Sequence, residues 1–297
     1  SLETLQTLRQ AFEQCYLDYI YAAFFVFGPA EQLGFRERVN SFPLNLGQLT
    51  TSIENENYEF NTSGQFDQGL PALDYFLYGT GESDAEILEA LTSDQKVSTY
   101  LLAVVEDLRI VGDQTLEEWK EIKPDFINDV GTSAGSSFSN IINSWNEEYE
   151  YTKRERIGIP SGALTLGFAN PDKVESFYSG ISLDLIRASM QAAEQIFKGI
   201  SAKNGEDGEG MEDLLNYVNA EREGQPLSEV ITNQYDQIEN DLNELSELRF
   251  SDLVQEEQDK VNDLYISASQ QVLYQKTDLA SMLCVAITYV DNPSDSD

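Results

Sequence analysis

The sequence predicts an all-α protein built from helical bundles. Apolar residues recur every three or four positions over long stretches, the connections are short and polar, and almost nothing alternates like a strand. The first stripe, Leu5, Leu8, Phe12, Tyr16, Tyr19, Ala23 and Val26, forms one helical face that Gly28-Pro29 stops. A loop-rich stretch through Ser41-Phe42-Pro43 to Gly64 follows, with short helical turns around Gly47 to Ile53. Pro71 then suits the first turn of a helix running to Gly79, with Leu73, Phe76 and Leu77 on its apolar side. Asp94 caps a long helix carrying Val97, Leu101, Val104, Leu108 and Val111, which continues to Trp119 after an interruption at Gly112.

Beyond a Gly/Ser loop at Gly131 to Ser137, the residues Phe138, Ile141, Ile142, Trp145 and Tyr149 mark another helix. Gly158-Ile159-Pro160 and Gly162 predict a turn, because two glycines and a proline fit poorly inside one helix. The second half repeats the style. Leu183, Ile186, Met190, Ala193, Ile196 and Ile200 make one stripe, Leu227, Val230, Tyr235, Ile238, Leu242 and Leu245 a second, and Val254, Val261, Leu264, Ile266, Val272 and Leu273 a third. The acidic glycine loop Asn204 to Gly210 reads as flexible, and only Val285 to Tyr289 reads as a strand. The natural division is an N-terminal bundle, 1–150, and a C-terminal bundle, 151–297.

Composition narrows the function. Eighteen Lys and Arg against 53 Asp and Glu give a net charge of −35, which repels phosphate backbones and anionic lipid heads. Nucleic acid and direct membrane-surface binding are therefore both disfavoured. No apolar run reaches the roughly 20 residues a transmembrane helix needs. Cys15 and Cys284 fit two buried thiols as well as one disulfide. The chain has no histidine, which removes the commonest metal ligand and general base along with Ser-His-Asp and Cys-His catalysis. Any metal would take oxygen ligands.

The most informative stretch is Gly69-Leu70-Pro71-Ala72-Leu73-Asp74-Tyr75-Phe76-Leu77-Tyr78-Gly79. Local physics places Asp74 in a helical first turn, where a carboxylate meets unpaired N–H groups, and an acidic residue there needs no function. Lys153-Arg154-Glu155-Arg156 is a rare basic cluster; ordinary surface pairing accounts for it, and anion binding is the sharper alternative. Tyr75 and Tyr78 fit core packing or a pocket wall. The ending Asp291 to Asp297 resembles half a calcium loop but lacks its glycine and distal glutamate, so it reads as a solvated tail.

The Gly69–Asp74 stretch resembles a variant of the GxHxxE motif of the imelysin-like family, with Gly69 at the Gly, Pro71 at the His and Asp74 at the Glu position. Leu5 to Pro43 resembles the family's opening, Ile157-Gly158-Ile159-Pro160-Ser161-Gly162 its mid-chain turn, and Thr277 to Asp297 the close of its predicted-lipoprotein branch. The resemblance implies two four-helix-bundle domains with a ligand site at their interface, a part in iron uptake, and export as a lipid-anchored, periplasmic or outer-envelope protein. Its ligand would be iron or an iron complex, or another small molecule, beside an envelope protein partner. The family's peptidase label does not carry over, since Pro71 cannot bind a cation through its side chain. The residues that would form the site are Gly69, Pro71, Asp74 and Tyr78, with Arg154 and Arg156 as countercharge; none is assigned a catalytic or metal-binding role. The rivals are a structural or protein-interaction lipoprotein without an open site and, last, a carboxylate-dependent hydrolase.

Overall fold

The computed structural model describes residues 1–62 and 66–289, so the acidic tail Asp291 to Asp297 lies outside the described residues. The fold is all-α, with one two-residue hairpin, Glu221–Arg222 against Gln225–Pro226. Two compact units form, and neither is one run of sequence. The first takes Ser1–Ile122, Pro171–Leu185 and Arg249–Ser251; the second takes Lys123–Asn170, Ile186–Leu248 and Asp252–Asp297. A single cut at 150/151 would pass through a helix, because Ser137–Tyr151 continues without a break into Thr152–Gly158.

In the first unit, α1 (Leu2–Ala22) is capped by the Ser1 hydroxyl and buries Leu5, Phe12, Tyr16, Tyr19 and Ile20. Leu8 departs from the expected face and stays 46% exposed. After short helical pieces at Pro29–Gln32, Phe35–Val39 and Leu46–Glu54 comes α2 (Gly69–Asp74), which widens into a π-helical turn, Tyr75–Gly79. Next is α3 (Asp84–Ser93), opened by a capping box in which the Ser83 hydroxyl takes the Glu86 N–H and the Glu86 carboxylate takes that of Ser83. Asp94 accepts from the Lys96 N–H at the start of α4 (Gln95–Asn128), as its position predicted. Gly112 does not interrupt α4. Nothing crowds that glycine, and one glycine in 34 residues costs only about 1 kcal/mol relative to Ala.

In the second unit, α5 (Ser137–Tyr151) runs on through the π-helical segment Thr152–Gly158 into Ile159–Ser161. The turn expected after Gly158-Ile159-Pro160 and Gly162 comes at Gly162, where φ is +91°, but the helix accommodates Gly158 and Pro160 before it. Widened turns leave Pro160 at the start of a fresh helical turn, where its missing N–H is no loss. The other main helices are α6 (Ser182–Lys198), α7 (Leu227–Glu244) and α8 (Gln258–Val272), the last again followed by a π-helical segment, Leu273–Leu279. Trp145 stacks on Phe197 and donates its indole N–H to the Ala193 carbonyl, 2.9 Å, while Tyr149 meets Tyr235 edge-on.

Several sequence expectations change. Val285 to Tyr289 is not a strand; the Asn143 side chain donates to the Ala286 carbonyl, 3.0 Å, and accepts from the Thr288 N–H, 2.6 Å, standing in for a neighbouring backbone. The acidic glycine loop is closed by main-chain bonds, Ser201 to Glu206 and Gly208 to Gly199. Cys15 and Cys284 are exposed free thiols, neither buried nor bonded to each other. Ile266, counted in a buried stripe, is 62% exposed.

Candidate functional site

The motif region belongs to the first unit. Gly69 sits at φ +73°, and a Cβ on it would lie 2.4 Å from the Val39 carbonyl oxygen and 2.7 Å from that of Arg38. Only glycine fits that left-handed backbone and that close approach. Beside it, buried Gln68 donates to the carbonyls of Glu37, 2.9 Å, and Asn61, 2.8 Å, so the entry to α2 is tied to the chain 31 and 7 residues back. Pro71 is the third residue of α2, where its missing N–H has no intrahelical partner to lose.

Asp74 does not sit in a first turn. It is the last residue of α2, 3% exposed, and its carboxylate reaches a distant segment. Oδ2 accepts from the Tyr178 N–H and Oδ1 from the Ser179 N–H, both at 2.9 Å, with the Ser176 hydroxyl at 3.4 Å. Asp74 thereby caps the turn Ser176–Ser179. Burial pushes its carboxyl above the usual aspartate range, opposed by the bonds from Ser179, Tyr178 and Ser176.

The turn held by Asp74 forms one wall of a cavity of about 180 Å³, lined by Phe42, Pro71, Asp74, Lys173, Ser176 and Tyr178 among others. Tyr178 packs edge-on against Tyr75, 5.2 Å between centroids, and lies over Gly79, where a Cβ would meet its ring at 2.4 Å. Arg249 fixes the far side by donating to the carbonyls of Phe177, 2.6 Å, and Tyr178, 2.9 Å. One residue before this turn, buried Glu175 accepts from the Asn40 amide, 2.6 Å, and the Tyr16 hydroxyl, 2.9 Å.

Tyr78 turns toward α1. Its hydroxyl donates to Glu13, 2.6 Å, and the Arg9 guanidinium lies 4.6 Å over its ring. Burial and the Glu13 carboxylate raise its pKa far above the usual tyrosine value. Arg154 and Arg156 belong to the second unit. Arg156 is 2% exposed, bonded to Glu148 at 2.8 Å and to Thr152 at 2.6 Å, whereas half-buried Arg154 pairs with neighbouring Glu155 at 3.3 Å. The structure thus brings Pro71 and Asp74 to the cavity, seats Gly69 against the Arg38 and Val39 carbonyls outside its lining, aims Tyr78 at α1, and places the two arginines in the other unit. Sequence reasoning missed Lys173, Ser176, Tyr178 and Ser179; they lie about 100 residues from Asp74 and carry no local pattern that ties them to it. Among the described residues no group of three acidic or thiol side chains is gathered for a metal.

A family model described as Imelysin, which carries a peptidase label, matches residues 1–279. No curated protein matches the chain. The crystal structure of an imelysin-like protein from Psychrobacter arcticum 273-4 is similar at 18% identity and TM-score 0.69, covering 96% of this chain and 83% of that one. A second, described as an iron-regulated protein A precursor from Parabacteroides distasonis ATCC 8503, is similar at 15% identity and TM-score 0.71, covering 94% and 84%. At these identities the likeness shows a shared fold.

Proposed function

This chain belongs to the imelysin family, and from that premise we propose that it is a non-catalytic, envelope-located binding protein of iron acquisition whose ligand seat is the cavity beside Asp74. The observation that carries the reading is the cavity itself: the family-motif segment supplies one side, and a turn capped by the motif aspartate supplies another. Lys173 and Asp172, which pair with each other at 3.6 Å, line the cavity together with the Ser176 hydroxyl, so a ligand there would meet both signs of charge. The volume is below the roughly 300–1,000 Å³ of sites for drug-sized ligands, which favours a small chelate such as ferric citrate over haem. Asp74 acts by holding the wall rather than by direct ligation, since both its oxygens already accept N–H groups.

The iron connection is supported by the fold shared with the iron-regulated protein A precursor, whose designation as a precursor also favours export. Among the described residues no helix is long and apolar enough to cross a membrane, so envelope attachment would be by a lipid anchor. Catalysis is disfavoured because the position of the family's histidine is Pro71 and the chain holds no histidine to replace it. A second reading, an interaction protein with no ligand, draws on the saturation of Asp74.

Titration calorimetry with ferric citrate, ferric iron, haem and calcium separates the two. Ferric citrate is expected to bind, and Asp74→Asn to weaken it at least about tenfold, roughly 1.4 kcal/mol, in a protein that still folds. Silence across all four ligands leaves the interaction reading, whereas binding with unchanged affinity in the folded variant keeps a ligand but removes the cavity as its seat.

A further inference from the structure

The turn after α5 displays apolar side chains to solvent on a closed backbone. Leu166 is 95% exposed and Phe168 72%, with Leu164 beside them at 38%. The main chain beneath is bonded to itself: Leu164 N–H to Gly158, Thr165 and Gly167 N–H to Gly162, Phe168 N–H to Thr165, and Asn170 N–H to Pro160. The Gln258 side chain adds bonds to the Ser161 and Gly167 carbonyls, 2.7 and 3.1 Å, and the Asn170 side chain one to the Ile159 carbonyl, 2.9 Å. Leu166 itself has φ +57°, a left-handed conformation that a leucine rarely adopts, and it is held there with its side chain outward. No charged residue occurs from Ile157 to Pro171, although 24% of the chain is charged.

We propose that this loop is a membrane-contact tip that inserts Leu166 and Phe168 into the interfacial region of a zwitterionic phospholipid surface. Three observations converge on lipid. Backbone enters an apolar medium only when its polar groups are satisfied within the protein, and here the N–H groups on both sides of Leu166, those of Leu164, Thr165, Gly167 and Phe168, are bonded within the loop. A protein pocket accepts charges around its rim, whereas fifteen consecutive uncharged residues are what approach to hydrocarbon requires. The remaining surface, at net charge −35, is repelled by anionic headgroups, which selects phosphatidylcholine or phosphatidylethanolamine. Two apolar side chains give weak, reversible attachment, of the kind that orients a protein already held near a bilayer by a second signal. The inference is independent of what the cavity in the first unit binds.

The test is co-sedimentation of the intact chain with phosphatidylcholine vesicles, repeated with Leu166→Gly, Phe168→Ser and the pair. Both side chains are exposed, and glycine accepts φ +57°, so the variants are expected to fold, with Leu166→Gly at a raised Tm. Wild type is expected to partition onto the vesicles and the double variant to lose at least about tenfold of that partitioning. Phosphatidylglycerol in the vesicles should weaken wild-type binding and added salt restore it. Absence of wild-type partitioning, or equal partitioning by the double variant, overturns the proposal. If wild type avoids vesicles while the substitutions abolish self-association in sedimentation velocity, the tip is a contact between copies instead.

Discussion

Asp74 and Arg156 are both buried charges, and they differ in what their loss should do. Asp74 is desolvated, and its folded pKa is raised, so the folded protein holds the proton more tightly than the unfolded chain does. Its contribution to stability is therefore fullest at a pH below the unfolded aspartate value of about 3.9, and is lost as pH rises through the folded value. Asp74→Asn has no such titration, so the stability difference between wild type and variant should grow on acidification from pH 7 toward pH 4. Urea unfolding of both proteins across that range measures it. A difference that shrinks instead would mean that the N–H groups of Tyr178 and Ser179 outweigh burial.

Arg156 is held by Glu148 and Thr152 in a site with almost no solvent. Removing one partner of a buried pair strands the other, at about 3–5 kcal/mol. Arg156→Ala is expected to fall in that range, and Glu148→Gln together with Arg156→Met to recover part of the loss; a single-variant cost below about 1 kcal/mol in chemical denaturation would show the pair to be unimportant.

Among the elements, α2 depends most on one residue. Gly69→Ala would bring a methyl within 2.4 Å of a carbonyl oxygen on a left-handed backbone, so both conformational strain and a clash oppose it. A loss of at least about 2 kcal/mol is expected in thermal or urea unfolding. Gly112→Ala, on open helix surface, is expected to stabilise by up to about 1 kcal/mol, which makes the two alanines a matched pair.

The same contrast explains what was legible in the sequence. Helices announced themselves because their periodicity and caps are local: the stripe of α1, Asp94 before α4, and Pro71 in a first turn all follow from residues within a few positions. The π-helical segments were not legible, since an inserted residue shifts the stripe without leaving a distinctive residue type. The cavity was half legible. Pro71 and Asp74 were found through a motif, but the role of Asp74 lies in the turn at Ser176–Ser179, and no short-range rule connects positions so far apart. Val285 to Tyr289 failed for a related reason: its alternation is real, but its hydrogen-bond partner is an asparagine side chain.

At the scale of the whole molecule, charge and connectivity dominate. A net charge of −35 makes the compact state repel itself, and salt screens that repulsion. Raising sodium chloride from about 20 mM to about 200 mM, over which the Debye length falls severalfold, should raise Tm in scanning calorimetry. A flat or falling Tm would mean that local ion pairs, such as Arg9 with Asp84 and Lys276 with Glu150, offset the net repulsion.

The interleaving of the two units has a consequence in time. A ribosome that has released only the first 150 residues has delivered α1 to α4 and the carboxylate of Asp74, but not the turn that receives it, nor Arg249, which closes that turn from behind. The first unit therefore cannot be finished before residue 251 emerges, by which point most of the second has also been made. The first half cannot mature as an independent folding event before most of the second has been made, and a chain interrupted between residues 150 and 171 would leave the Asp74 carboxylate without the turn it caps.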